Sequence, residues 1–407
     1  MSTFVRLGLK RIIQNQALNN NFNQKNVTFI RTITSKTTRM SQEDVSKPSP
    51  WPYNEKGYNL FNYFFDKTTS RLDENSKIIV VEGPLAAGKS KCAKQLASEL
   101  DMLYLPEANL DMMYINNYGF DQRKLDSELP ESCISWDVMD FLRNPKHRHT
   151  LRFQLQQYVV KLSQYIDALA HVLSTGQGVI LDRCVYSDFV FAEAMFSQGF
   201  ISKLGIKKYY EFRDNTIGEL LRPHLIIYLD IPVPKVLENI KKRGISYEQD
   251  SKALTPQYLS VMEKHYKQNY LKELSKHSEL LVYDWTDAGD VEIVIEDIER
   301  IDFNKYDAQD THLKDWDHKM EEDWASLRHK YADKKEILMN YCNIPCFEVP
   351  ELVVDAEDAN TYHNVIEEAP GNKFLPGYNT HLGDTGTIFK MSSPHRNTLP
   401  LRERRTS

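Results

Sequence analysis

The sequence predicts an α/β fold: a P-loop three-layer domain built on a five-stranded parallel sheet, with a helical and extended C-terminal arm added to it. Three observations point there. Five short aliphatic runs are spaced widely enough for helices to fit between them, the first of these runs leads straight into a glycine-bracketed loop ending in Lys-Ser, and near residue 302 the periodic pattern gives way to a stretch broken by proline and glycine.

Taken in chain order, the first 42 residues hold Arg6, Lys10, Arg11, Lys25, Arg31, Lys36 and Arg39 and no acid. Phe4, Val5, Leu7, Leu9, Ile12 and Ile13 can share one side of a helix with the cations flanking it, which predicts a matrix-targeting presequence over residues 1–42. A basic arm for nucleic acid or anionic lipid is the alternative use of such a segment. Without those seven charges the net charge falls from −6 to −13, so the mature protein would be acidic and a poor partner for nucleic acid. A segment from 43 to 76 leads into the domain, expected over 77–302.

The predicted strands are Lys77–Glu82, Met102–Leu105, Gly178–Asp182, Leu225–Asp230 and Glu279–Asp284. Glu82, Asp182 and Asp230 end three of them, at the sheet edge where open α/β folds bind ligands. Leu155, Val159, Leu162, Ile166, Leu169, Ala170 and Leu173 predict a helix over 151–174 that buries one face, stopped by Gly176 and Gly178. In the arm, 303–407, Leu313, Trp316, Met320, Trp324, Leu327 and Tyr331 predict one amphipathic helix, and Pro345, Pro350, Pro370, Pro376 and their glycines an extended tail. No run approaches the roughly 20 apolar residues of a membrane span, so any membrane association is peripheral. The five cysteines are scattered, as suits reduced thiols in a matrix protein; Cys342 and Cys346 have the spacing of a disulfide or ligand pair, but two free thiols is the preferred reading.

The chemistry is concentrated at three places. Gly83-Pro-Leu-Ala-Ala-Gly-Lys-Ser90 follows a strand and opens a helix, the context its G-x-x-x-x-G-K-S pattern requires. Gly83, Ala86, Ala87 and Gly88 would curl the backbone around an anion, Lys89 would supply charge, and Ser90 would ligate Mg²⁺. Asp182-Arg183 with Asp188 follows the third strand, and Glu107 follows the second. Acids so placed can act as a general base and a Mg²⁺ ligand beside an arginine that stabilises phosphoryl charge; each alone could equally be a helix cap or a surface carboxylate.

These residues, with Leu155-Gln-Gln-Tyr-Val159, Val185-Tyr-Ser-Asp188 and Lys235–Arg243, resemble the deoxynucleoside kinase family over about residues 77–300. The resemblance implies that Glu107 is the catalytic base with Arg183, that Gln156 and Asp188 contact the nucleoside, that Asp182 holds the metal with Ser90, and that Arg243 belongs to a closing lid. Ser174–Gly178, Val185–Phe191 with Glu193–Met195, and Pro376–Thr380 resemble one branch, the kinase-like accessory subunits of mitochondrial NADH:ubiquinone oxidoreductase (complex I).

That branch implies a non-catalytic subunit on the matrix side of the inner membrane, needed for assembly or stability, touching other complex I subunits through the C-terminal arm and the domain surface and keeping a purine nucleoside triphosphate, with Mg²⁺, as a structural ligand. FAD has been associated with the branch, but the chain lacks the G-x-G-x-x-G fingerprint and argues against it. Departures from active kinases agree: Asn239–Ile245 keeps only Arg243 of the lid arginines, and lysine lacks arginine's bidentate fork. Phe189 and Cys184 also replace family arginine and serine. The alternative reading is an active mitochondrial deoxynucleoside kinase transferring the ATP γ-phosphate to a nucleoside 5′-hydroxyl. A nucleoside-monophosphate kinase fits less well, because Asp182, Arg183 and Gln156 outline a nucleoside pocket.

Overall fold

The computed structural model describes residues 32–39, 47–59, 61–306 and 309–385. The expected presequence, 1–42, therefore lies outside the described residues except for 32–39. There Ile33 is fully buried, and Thr34 exchanges two hydrogen bonds with the Asn75 side chain.

Five parallel strands form one sheet: β1 (Ile78–Glu82), β2 (Leu103–Leu105), β3 (Val179–Asp182), β4 (Leu225–Asp230) and β5 (Glu279–Asp284), in the order β2-β3-β1-β4-β5. The expected strands match to within a residue at each end. Residue by residue, β1 sits between Val179–Asp182 on one side and Leu225–Tyr228 on the other, which is why it reads as an unbroken apolar run buried on both faces. Edge strand β5 is half exposed.

The main helices are α1 (Lys89–Leu100), α2 (His149–Thr175), α3 (Phe189–Ser197), α4 (Lys203–Ile217), α5 (Val233–Arg243), α6 (Pro256–His265), α7 (Val291–Glu299), α8 (Glu321–Asp333) and α9 (Ala356–Glu368). Helix α2 stops at Gly176, whose φ of 77° is the left-handed cap that its sequence promised. It does not bury only one face: 22 of its 27 residues are buried, polar ones among them. The reason is the arm. Helix α8 packs along α2, and just beyond it Lys335 reaches Asp167 of α2 at 2.6 Å, with both side chains buried.

The single amphipathic helix expected from Leu313 to Tyr331 is interrupted. Leu313 takes a left-handed φ of 53°, only Lys314–Trp316 turn as a 3-10 segment, and helix resumes at Glu321. The break lets the Trp316 ring lie 4.0 Å from His224 while its Nε1 donates to the Arg222 carbonyl. The tail beyond is less extended than expected, since α9 forms within it. Its signal was Asp355 followed by Glu357 and Asp358, acids suited to a helix N-terminus.

Candidate active site: a nucleotide cleft open at one end

At the carboxyl edge of β1 the chain must turn sharply. Gly83 has a φ of 151°, and a Cβ there would stand 2.7 Å from the Leu229 carbonyl oxygen of β4, so only glycine fits between the strand end and its neighbour. Ala86 (54°) and Gly88 (79°) add two more positive φ values, curling the loop into an N–H-lined cup that opens onto the N-terminus of α1. Lys89 is buried, and its Nζ donates to the Pro84 carbonyl across the loop at 2.9 Å. Burial first, and then repulsion from Arg183, push its ammonium down to about 8. Asn239 of α5 braces the loop from outside by donating to the Ala86 carbonyl at 3.2 Å; sequence reasoning assigned it no role.

Ser90 and Asp182 come together as expected, with the Ser90 hydroxyl donating to Asp182 Oδ2. Oδ1 of Asp182 is buried and has no hydrogen-bond partner among the described residues. A hydroxyl and an open carboxylate oxygen beside an anion cup suit Mg²⁺, a hard cation that keeps its waters and takes few protein ligands. Glu82 and Asp230, at the ends of β1 and β4, do different work. Tyr266 and Tyr270 donate to buried Glu82, whose carboxyl is pushed up chiefly by burial, and Asp230 pairs with Lys267 at 2.9 Å.

Arg183 lies one residue past β3 with a left-handed φ of 62°, strain of the kind stored at functional sites. Its guanidinium donates to Glu107 and, at 3.0 Å, to the Gly83 carbonyl, so it ties the predicted base to the phosphate loop. Burial opposes ionisation of Glu107, but Arg183, with Lys89 and Lys161 behind it, overrides burial and holds the carboxyl at about 2.

The remaining predicted residues do not converge. Asp188 is fully buried, and its carboxylate accepts from Lys161 at 2.7 Å and from Gln154 and Tyr209 at 2.8 Å each. The Phe191 ring fills the space between Lys161 and Arg183, 4.7 Å and 5.0 Å from their cationic ends. Gln156 faces elsewhere, into a cavity of about 280 Å³ walled by Tyr114, Arg152 and Cys133 and covered by Tyr362 and Ile366 of α9. Arg243, the last residue of α5, gives its Nε and Nη2 to Glu248 at 3.0 and 2.6 Å. Lys161, Gln154 and Tyr209 were missed because lysine and glutamine inside a long helix, and a tyrosine on another, look like ordinary surface or core positions until the fold brings them to Asp188.

A curled phosphate loop on β1, with a Ser-Asp pair behind it and an Arg-Glu pair ahead, defines a P-loop kinase-like nucleotide site. A model of the deoxynucleoside kinase family matches residues 79–320. The chain is 41% identical over 323 residues to NADH dehydrogenase [ubiquinone] 1 alpha subcomplex subunit 10, mitochondrial, of Mus musculus, covering 78% of this chain and 85% of that one. The Bos taurus protein of the same name is 39% identical over 78% of this chain and 88% of its own length. A deoxyguanosine kinase of Dictyostelium discoideum is 29% identical over 61% of this chain and 78% of its own. The chain belongs to the deoxynucleoside kinase family, in the branch that holds these NADH dehydrogenase subunits.

Proposed function

We propose that this chain is an accessory subunit of mitochondrial respiratory complex I, peripheral on the matrix side, that holds a purine nucleoside triphosphate and Mg²⁺ at its phosphate loop without turning it over. The observation that carries the reading is the contrast within the cleft. Gly83–Ser90 and Asp182 are disposed to receive phosphate and metal, whereas Asp188, the family's nucleoside contact, has given its carboxylate to Lys161, Gln154 and Tyr209. Glu107 adds to it, because a carboxylate held at about 2 is a weak base for a 5′-hydroxyl near neutral pH. Ser90 and Asp182 would hold Mg²⁺, which would supply positive charge against the phosphates, and the bound nucleotide would stabilise the fold by mass action. No helix among the described residues is long and apolar enough to cross a membrane, in keeping with a peripheral position.

A second reading, a working deoxynucleoside kinase, is favoured by the assembled Arg183–Glu107 pair. Native fractionation of solubilised mitochondrial membranes, with phosphoryl transfer from labelled ATP to the four deoxynucleosides measured on the purified chain, separates the two. Comigration with complex I and no transfer is expected. A chain found only outside complex I that phosphorylates a deoxynucleoside replaces the subunit reading with the kinase one.

A further inference from the structure

The arm lies on its own domain: buried Tyr331 gives its hydroxyl to the Glu219 carbonyl, and Lys335 pairs with Asp167 inside it. The most exposed aromatic surface among the described residues is elsewhere, on the approach to the domain. Phe61, Phe64 and Phe65 are 78%, 70% and 94% exposed within five residues of one another. Three rings held in water on one short segment form a patch of the kind that marks an interaction site.

The segment beneath them is fastened. Asp66, directly after Phe65, accepts from Arg71 and from the fully buried Arg328 at 2.7 Å, and Arg328 in turn stacks 3.8 Å from the Tyr58 ring. The Tyr63 hydroxyl donates to Glu322 at 3.0 Å, and the Thr69 backbone N–H donates to Glu321 at 3.2 Å. Both flanks are thus tied to α8, and no described residue of this chain covers the three rings. A ridge already held in shape also loses little conformational entropy when it docks.

The same fastening puts acid beside the ridge. Glu321, Glu322 and Asp323 open α8, whereas Lys67 is the single cation from Phe61 to Ser70. An anionic lipid surface would meet those carboxylates with like charge. We infer that the Phe61–Phe64–Phe65 ridge seats in an apolar groove of a neighbouring protein subunit whose rim carries basic side chains. The inference rests on the subunit reading above and names the surface by which this chain attaches.

The test uses the full chain in cells that lack their own copy. Wild type is expected to comigrate with complex I, and Phe61→Ser/Phe64→Ser/Phe65→Ser to lose incorporation by about tenfold or more while its urea midpoint and nucleotide affinity stay at wild-type values. Glu322→Lys is expected to cause a smaller loss that high salt diminishes. A triple variant incorporated as well as wild type overturns the ridge and leaves the subunit reading standing. Wild type found outside complex I overturns that reading and the docking inference with it. Flotation on cardiolipin-containing vesicles that depends on the three phenylalanines overturns the choice of a protein partner.

Discussion

At the phosphate end of the cleft, backbone is spent on holding polar atoms open; at the nucleoside end, side chains have closed on each other. Gly83, Ala86 and Gly88 keep positive φ values that shape an N–H cup, and Asp182 Oδ1 is left without a partner among the described residues. Six residues past Asp182 the balance reverses: Asp188 is fully paired, Phe191 is wedged between two cations, and α9 covers the cavity onto which Gln156 opens. Open polar atoms cost stability unless a ligand satisfies them, and closed ones contribute it. The difference teaches that neighbouring parts of one cleft can be held in opposite ways, polar atoms left open at one end and paired with each other at the other.

Breaking the closed end should therefore cost folding, not nucleotide. Asp188→Ala removes the one carboxylate that is hydrogen-bonded to Lys161, an almost fully buried cation. A loss of about 3–5 kcal/mol in the urea-unfolding free energy is expected, the usual result of orphaning one member of a buried ion pair. Affinity for Mg·ATP should stay within about threefold of wild type. A collapse of affinity at unchanged stability would mean that Asp188 still serves a bound ligand. Lys89→Ala should show the converse: little change in folding, and about 100-fold weaker Mg·ATP binding by calorimetry, roughly 2.7 kcal/mol for a lost charge-assisted contact to phosphate.

The same division governs what the sequence could disclose. The phosphate end is local: strand, loop and helix are contiguous, each residue has one backbone task, and Gly83 through Ser90 could be assigned before any fold was known. The three central strands, β3, β1 and β4, were legible because burial on both faces leaves unbroken aliphatic runs, and the two edge strands because their short aliphatic stretches are set off by the helices around them. The nucleoside end is assembled from three helices, Gln154 and Lys161 of α2, Tyr209 of α4 and Asp188 at the head of α3, and no spacing rule links them. In the arm, Leu313 to Tyr331 has helical periodicity throughout, so the break at Leu313 became visible only when Trp316 was seen to need His224. Periodicity reports which side chains seek burial; it is silent on whether the backbone between them stays helical to achieve it.

The pH dependence of binding sharpens the picture of the open end. Lys89 titrates near 8 in the free cleft because burial and Arg183 both disfavour its charge. Phosphate binds the charged form, so below about pH 8 the ammonium is already present and affinity should be level. Above it, each binding event must take up a proton, and Mg·ATP affinity should fall by up to about tenfold per pH unit, one proton's worth of linkage. The fall should be absent in Lys89→Ala. A level profile through pH 9 in wild type would show that Lys89 does not face the phosphates.

The smallest effect is expected at Arg243, the residue that the family resemblance assigns to a closing lid. Arg243 is committed to Glu248, but its side chain is 42% exposed, so the pair is weak and the arginine can be recruited. Glu248→Gln removes the competing charge without removing the side chain's bulk. If Arg243 closes onto a bound nucleotide, the substitution should tighten Mg·ATP by about two- to threefold, the scale of one exposed ion pair, and Arg243→Ala should abolish that gain. If neither changes the calorimetric constant, α5 touches the nucleotide site through Asn239 alone, and the lid has followed the nucleoside end into a structural role.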